Sequence, residues 1–269
     1  MTRLFALLAA ALAVPVLAAS AAPHPATTST RGVQAKPTIV LVHGAWADSA
    51  SWSKVVRRLQ AQGYTVDVPP NPLRGLATDA AYLASYVNTI TGPVVLVGHS
   101  YGGAVITNAA TTTPNVKALV YVNAFAPDQG ESILQLVSAQ PGSALAANPA
   151  DVFDVVPLSG GADLYIKQSR FPQAFANDLP ATKAAVLAAT QRPLAANAVS
   201  EISGVPAWRT IPSWYLVGTA DRVLPPAEQR FMAARMHAQT VEVDASHLSM
   251  ISQPEQVTKL ILDAARGLR

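Results

Sequence analysis

A serine between two glycines is the first candidate for chemistry in this chain. The run GHSYG at residues 98–102 has the G-x-S-x-G spacing, in which glycines permit a tight, strained turn that lifts the serine hydroxyl above a sheet. The motif is significant only with a strand before it and a helix after it. The apolar run 93–97 predicts the strand, and residues 104–110 predict the helix. We therefore expect Ser100 to be the nucleophile of an acyl-transfer site.

A serine hydroxyl needs an adjacent base, and two histidines follow Ser100 in the chain. His237 comes at the end of a predicted helix, where a surface or packing role is expected. His247 follows the last predicted strand, 240–243. Since the carboxyl ends of parallel strands meet at one edge of a sheet, His247 is expected beside Ser100 and is predicted to be the base.

The acid that orients the histidine is expected after an earlier strand of the same sheet. Asp221 fits, because a buried strand and a glycine-containing turn precede it. Asp244 competes through its closeness to the histidine in sequence, although it lies on or at the end of its own strand. Asp128 and Glu131 are further alternatives. Asp221 is the predicted acid.

Acyl transfer also needs two hydrogen-bond donors for the oxyanion. One is the backbone N–H of Tyr101, which directly follows the nucleophile. The other is expected in the loop after the first predicted strand, at the N–H of Ala45. His43 in the same loop, and His99 beside the nucleophile, are expected to have structural roles.

Three apolar side chains adjoin the motif residues. Trp46, Phe125 and Leu248 are predicted to line an acyl or alcohol pocket, and packing within the fold is the alternative for each. No arginine or lysine falls at a motif position. The expected substrate is therefore a small, fairly apolar ester.

Buried β-branched runs alternate with helical patterns along most of the chain, which predicts an α/β fold: a mostly parallel sheet sandwiched by helices. The alternation stops over 126–208, where helical patterns and prolines occur without a convincing buried strand. This segment is predicted to be a helical cap inserted into a domain that spans residues 37–269.

The first residues have the composition of an export signal. Arg3 precedes an apolar run from Leu4 to Leu17, and small residues at 18–22 offer cleavage sites. We expect a signal peptide over 1–22, cleaved near Ala22, a flexible lead-in over 23–36, and an exported protein without stable membrane insertion.

Composition excludes several classes of protein. The chain has no cysteine, which rules out disulfides, thiolate metal sites and a cysteine nucleophile. The five histidines lack metal-ligand spacing, so no metal is expected. The charge of +3 is scattered rather than arranged in a basic stripe, and no nucleic-acid partner is expected.

Together these motifs resemble a known superfamily. The runs VLVHGAW at 40–46, GHSYGG at 98–103 and GTAD at 218–221, with Ser246-His247, are similar to bacterial α/β hydrolases and to the branch that contains salicylate-methyl-ester esterases and hydroxynitrile lyases. The resemblance implies a cofactor-free site under a helical cap. It also implies a triad of Ser100, Asp221 and His247, with oxyanion donors at Ala45 and Tyr101.

Two positions separate the esterases from the lyases in that branch. The lyases carry a threonine after the loop histidine and a lysine after the catalytic histidine, whereas this chain has Gly44 and Leu248. The lysine stabilises departing cyanide, and a leucine offers only an apolar wall. An ester hydrolase with an acyl-enzyme intermediate is therefore favoured. Lyase-like or perhydrolase activity on the same triad, and a non-catalytic binding protein of this fold, are the alternatives.

Overall fold

A parallel sheet lies at the centre of the part of the chain that this computed structural model describes, residues 35–268. Its strands are β1 (Thr38–Val42), β2 (Val66–Asp67), β3 (Val94–His99), β4 (Val116–Val122), β8 (Ser213–Gly218) and β9 (Gln239–Val243). Their spatial order is β2-β1-β3-β4-β8-β9, and each neighbouring pair is parallel. Every residue of β3 and β8 is buried, as expected for central strands with both faces covered.

Helices cover both faces of this sheet, as the alternation of patterns predicts. They are α1 (Ser53–Ala61), α2 (Leu76–Val87), α3 (Tyr101–Ala109), α8 (Pro226–Arg235), α9 (Ser249–Ser252) and α10 (Pro254–Arg266). Helix α2 packs on α3, and α1 packs on α10, with α3 and α10 each contacting the central strands β3 and β4. The α/β architecture predicted from the sequence is confirmed.

The segment between β4 and β8 forms the cap and contains a sheet as well as helices. The helices are α4 (Ile133–Ala139), α5 (Pro149–Val152), α6 (Phe171–Phe175) and α7 (Ala181–Thr190); the strands are β5 (Phe153–Leu158), β6 (Gly161–Ile166) and β7 (Leu194–Ala195). The three strands are antiparallel in the order β5-β6-β7. The sequence predicts a helical cap without these strands. The reason is that β5 is mostly exposed and β7 has only two residues, so neither produces a buried apolar run.

The predicted signal peptide, residues 1–22, lies outside the described residues, as does the predicted lead-in up to residue 34. Within residues 35–268, no helix is both long and apolar enough to cross a membrane.

Candidate active site

Ser100 sits in a strained turn between β3 and α3. Its backbone has φ 52° and ψ −126°, a conformation that costs free energy for any residue with a side chain. Its carbonyl oxygen accepts hydrogen bonds from the N–H of Gly103 at 2.9 Å and of Phe125 at 3.1 Å, which hold the turn. A β-carbon built on Gly102 would lie 2.6 Å from the carbonyl oxygen of Val42, so only glycine fits there.

The side chain of His247 bridges Ser100 and Asp221. Its Nδ1 lies 2.8 Å from Oδ2 of Asp221, and its Nε2 lies 2.8 Å from Oγ of Ser100. All three residues are at most 4% exposed. Because an ionised carboxylate only accepts hydrogen bonds, Nδ1 carries the proton, and Nε2 is left to accept the serine hydroxyl. This is the protonation state that a general base requires.

Asp221 accepts five hydrogen bonds. Oδ1 takes the backbone N–H groups of Val223 at 2.8 Å and Leu224 at 3.0 Å. Oδ2 takes the Asn123 amide at 3.0 Å and the Gln229 amide at 2.9 Å, besides Nδ1 of the histidine. These donors compensate for burying a carboxylate and fix which oxygen faces the histidine.

Asn123 is a site residue that the sequence analysis missed. Its amide donates to Asp221 and, at 3.3 Å, to the carbonyl oxygen of Ser246, while its Oδ1 accepts the Ser249 hydroxyl at 2.6 Å. It has φ 46°, which asparagine tolerates better than most residues. Asn123 directly follows β4, at the sheet edge that holds Ser100, and this position could have identified it as a candidate from the sequence. Gln229 also contacts Asp221, but its position inside α8 gives no such indication.

The alternative acids lie away from the histidine. Asp244 is exposed. Asp128 pairs with Arg209 at 2.6 Å, and Glu131 pairs with Arg235 at 2.6 Å. Of these candidate acids, Asp221 is the one that contacts His247.

The two residues predicted to supply the oxyanion donors, Ala45 and Tyr101, line the same cavity as Ser100. Ala45 and Tyr101 are 2% and 1% exposed, and their N–H groups have no acceptor among the described residues. A β-carbon built on Gly44 would lie only 2.5 Å from Cβ of Ser100. The loop that carries Ala45 is therefore pressed directly against the nucleophile.

His43 and His99 support the neighbouring backbone. Nδ1 of His43 donates to the carbonyl oxygen of Gly44 at 2.9 Å, and its Nε2 accepts the N–H of Asn71 at 3.0 Å. Burial lowers the pKa of His43 to about 4. Nε2 of His99 donates to the carbonyl oxygen of His247 at 2.8 Å, and burial, with His247 nearby, lowers the pKa of His99 well below its usual value. Both imidazole rings are therefore neutral, and each forms hydrogen bonds with backbone groups of the surrounding loops.

The cap also contacts the loop of the histidine. The carboxylate of Asp178 accepts the backbone N–H of Ser246 at 2.9 Å and also its hydroxyl. The ring of Phe175 meets the imidazole of His247 edge to face, with centroids 5.2 Å apart. Residues 175–178 therefore help to place the base, which the sequence pattern of the cap did not indicate.

An apolar cavity of about 200 Å³ opens beside Ser100. It is lined by Ala45, Trp46, Ser100, Tyr101, Phe125, Ile133, Leu134, Val137, Leu145, Pro149, Phe153, Val155, Leu164, Leu194, Val199 and Val223. Trp46 and Phe125, two of the three residues predicted to line a substrate pocket, line this cavity. Leu248 does not line this cavity: the chain turns into α9 there, and its side chain faces a small neighbouring pocket with Phe171.

The comparison with protein families decides the identity of the fold. A model described as the alpha/beta hydrolase family matches residues 39–260. The chain belongs to the alpha/beta hydrolase family. The resemblance predicted from the motifs is confirmed.

The chain is similar to named hydrolases and esterases from bacteria. The chain is 27% identical to a pyrethroid hydrolase of Sphingobium wenxiniae over 84% of this chain and 87% of that protein. It is 34% identical to a carbendazim-hydrolysing esterase of Nocardioides sp., over 36% of this chain and 46% of that protein; this match spans less than half of the relative. A solved pyrethroid hydrolase from Sphingobium faniae is 25% identical, with a TM-score of 0.70 over 86% of this chain and 97% of the other.

Proposed function

We propose that this alpha/beta hydrolase is a serine esterase that cleaves uncharged, apolar carboxylic esters through an acyl-enzyme. The observation that carries the proposal is the continuous hydrogen-bonded line from Ser100 Oγ through His247 to Asp221, with 2.8 Å at each step. The named activities of the bacterial relatives support ester hydrolysis.

In the first half-reaction, Oγ of Ser100 attacks the ester carbonyl carbon while Nε2 of His247 takes the hydroxyl proton. Asp221 stabilises the imidazolium, and the N–H groups of Ala45 and Tyr101 bind the oxyanion. The tetrahedral intermediate collapses, the bond between the carbonyl carbon and the alcohol oxygen breaks, and the alcohol leaves with the proton from His247.

In the second half-reaction, water attacks the acyl-enzyme and gives its proton to Nε2 of His247. Collapse of the second intermediate breaks the bond to Oγ, and Ser100 recovers its proton. The balance is one ester and one water consumed, and one acid and one alcohol formed. No cofactor enters either step.

Cyanohydrin cleavage fits this site less well. The lining of the cavity offers no lysine or arginine to stabilise departing cyanide, and Leu248 lies outside it. A binding protein of the same fold would not need three buried polar residues joined in this order.

A fluorophosphonate probe tests the proposal. It should phosphonylate Oγ of Ser100, with loss of fluoride, and block hydrolysis of p-nitrophenyl acetate. The Ser100→Ala variant should show no labelling, and its kcat should be lower by a factor of about 10³ or more. Its thermal unfolding should stay cooperative. Labelling at another residue, or hydrolysis by Ser100→Ala near the wild-type rate, would overturn the assignment.

We also propose that the protein is exported and cleaved near Ala22. Arg3, the apolar run that follows it and the small residues at 18–22 support this. The mass of the protein recovered outside the cytoplasm tests it: a mass that still includes residues 1–22 would refute cleavage at this site.

A further inference from the structure

The described side chains that line the cavity provide no charged group to hold a charged substrate. The phenol of Tyr101 is engaged by Asp79 at 2.9 Å, and the indole N–H of Trp46 by the carbonyl oxygen of Leu164 at 2.8 Å. The Ser100 hydroxyl is therefore the one polar side-chain group left for a ligand.

The roof of the cavity is a row of aliphatic side chains across the cap sheet. Val155 on β5 lies opposite Leu164 on β6, and Leu164 lies opposite Leu194 on β7. Exposure rises along the row: Leu194 is 1% exposed, Leu164 is partly buried and Val155 is 56% exposed. The cavity therefore opens to solvent at the β5 end.

A second exposed aliphatic residue stands at the same cavity. Leu134, on α4, is 55% exposed and lines the cavity together with Val155. We call Leu134 and Val155 the mouth pair. Exposed apolar groups that continue a binding cavity are a mark of a ligand surface.

The enclosed volume is small for a whole substrate. About 200 Å³ lies below the roughly 300–1,000 Å³ of pockets that enclose drug-sized ligands. One compact part of an ester fits inside, and the remainder of a longer ester must pass the mouth pair. There it covers apolar surface that is otherwise in water.

We propose that the substrate is an uncharged ester with an elongated apolar group, and that the outer part of this group lies on Leu134 and Val155. This inference rests on the proposed serine-esterase function. It replaces the small ester expected from the sequence with a longer one, and it makes the mouth pair specificity-determining.

Two ester series measure chain-length preference. One varies the acyl chain of p-nitrophenyl esters from acetate to octanoate, and the other varies the alcohol of alkyl acetates, followed by titration of the acid released. All esters are kept below the concentration at which they aggregate. Each methylene group that is fully buried raises kcat/KM about fourfold. We expect a rise of at least about tenfold between the shortest and longest ester in one series, and that series reveals which side of the ester reaches the mouth.

Matched double variants test the residues. Leu134→Gln with Val155→Thr makes the mouth pair polar with little change of shape. Val156→Thr with Leu158→Gln is the control, because these residues are 44% and 49% exposed, lie on the same strand and do not line the cavity. Successive residues of a strand point to opposite faces, so Val156 faces away from the row that holds Val155.

The mouth variant should lose at least about three-quarters of the wild-type preference for long esters, measured as the ratio of kcat/KM for the longest ester to kcat/KM for the acetate. The control variant should match the wild type on every ester. The inference is overturned if Ser100-dependent hydrolysis shows no gain with length in either series, if the gain survives in the mouth variant, or if the control loses it equally. If no ester is hydrolysed in a Ser100-dependent manner, the proposed function fails first and this inference with it.

Discussion

The indole N–H of Trp46 donates a 2.8 Å hydrogen bond to the carbonyl oxygen of Leu164, which joins the loop after β1 to the cap sheet. The backbone N–H of Trp46 donates to the carbonyl oxygen of Arg192, also in the cap, at 3.1 Å. Trp46 has φ 56°, which is an unfavourable conformation for a bulky residue. Since Ala45 directly precedes Trp46, these two hydrogen bonds from the cap hold the strained loop that contains the proposed oxyanion donor.

Trp46→Phe tests this coupling. It removes the hydrogen bond to Leu164 and keeps an aromatic ring against Phe153 and Phe175, which Trp46 now contacts. We expect kcat for p-nitrophenyl acetate to fall about tenfold, less than the loss of a whole oxyanion donor, with KM within about twofold. Affinity for a trifluoromethyl ketone inhibitor should fall in parallel, because it mimics the tetrahedral intermediate.

Trp214→Phe is the matched control for that variant. Its indole N–H has no partner among the described residues, so the same substitution breaks no hydrogen bond there. Its kcat should remain near the wild-type value. A change in KM alone for Trp46→Phe would contradict the positioning role and leave only a contact with substrate.

Asp221→Asn should lower kcat by about 10⁴-fold, because an amide cannot hold the histidine in the tautomer that accepts the serine proton. Asp244→Asn, an exposed position three residues before His247, should change kcat less than about twofold, as surface substitutions remote from the chemistry do. Steady-state kinetics with p-nitrophenyl acetate measures both. Equal effects of the two substitutions would remove Asp221 from the triad.

Gly44→Ala should damage the site even though it adds one methyl group. That methyl would lie 2.5 Å from Cβ of Ser100, and we expect about 1–3 kcal/mol lower free energy of unfolding from overpacking, with much slower fluorophosphonate labelling. Gly161→Ala is the control, since no atom lies within 4 Å of its added carbon. Wild-type stability and labelling in Gly44→Ala would contradict this prediction. They would show that the loop can shift to accept a side chain at position 44, where the lyases have a threonine.

Acid should destabilise the fold through His43. Its pKa falls from 6.5 to about 4 on burial, so the unfolded chain binds a proton first as pH decreases. The resulting stability is fully present above about pH 6.5 and is lost as pH falls towards 4, by about 3 kcal/mol in total. Urea unfolding at a series of pH values measures this.

His43→Asn should flatten the pH dependence by the His43 contribution, and the difference between variant and wild type isolates it from other groups. His99, whose pKa is also lowered by burial, contributes with the same sign and should leave a residual slope. An unchanged slope in His43→Asn, or a nuclear magnetic resonance titration of His43 near pH 6.5 in the folded protein, would contradict the prediction.

The sequence by itself determined the fold class and the family. Buried strands with both faces covered give continuous apolar runs, and the turn at Ser100 needs glycines within two residues on either side, so both leave a local trace. Ser100, His247 and Asp221 could be named for the same reason, since each follows a recognisable strand and carboxyl ends of parallel strands meet at one edge. The hydrogen bonds that join these three residues could be established only from the tertiary structure.

Only the tertiary structure decided what surrounds this line of residues. Asn123 reaches Asp221 across 98 positions of sequence, and Trp46 reaches Leu164 across 118; no local period encodes such pairs. The cap sheet escaped prediction because an exposed edge strand such as β5 lacks the contrast between buried and exposed positions that makes strands visible. Leu248 was expected in the cavity and lies outside it for a similar reason. The direction in which a side chain points after a turn depends on the packing of the elements that meet there.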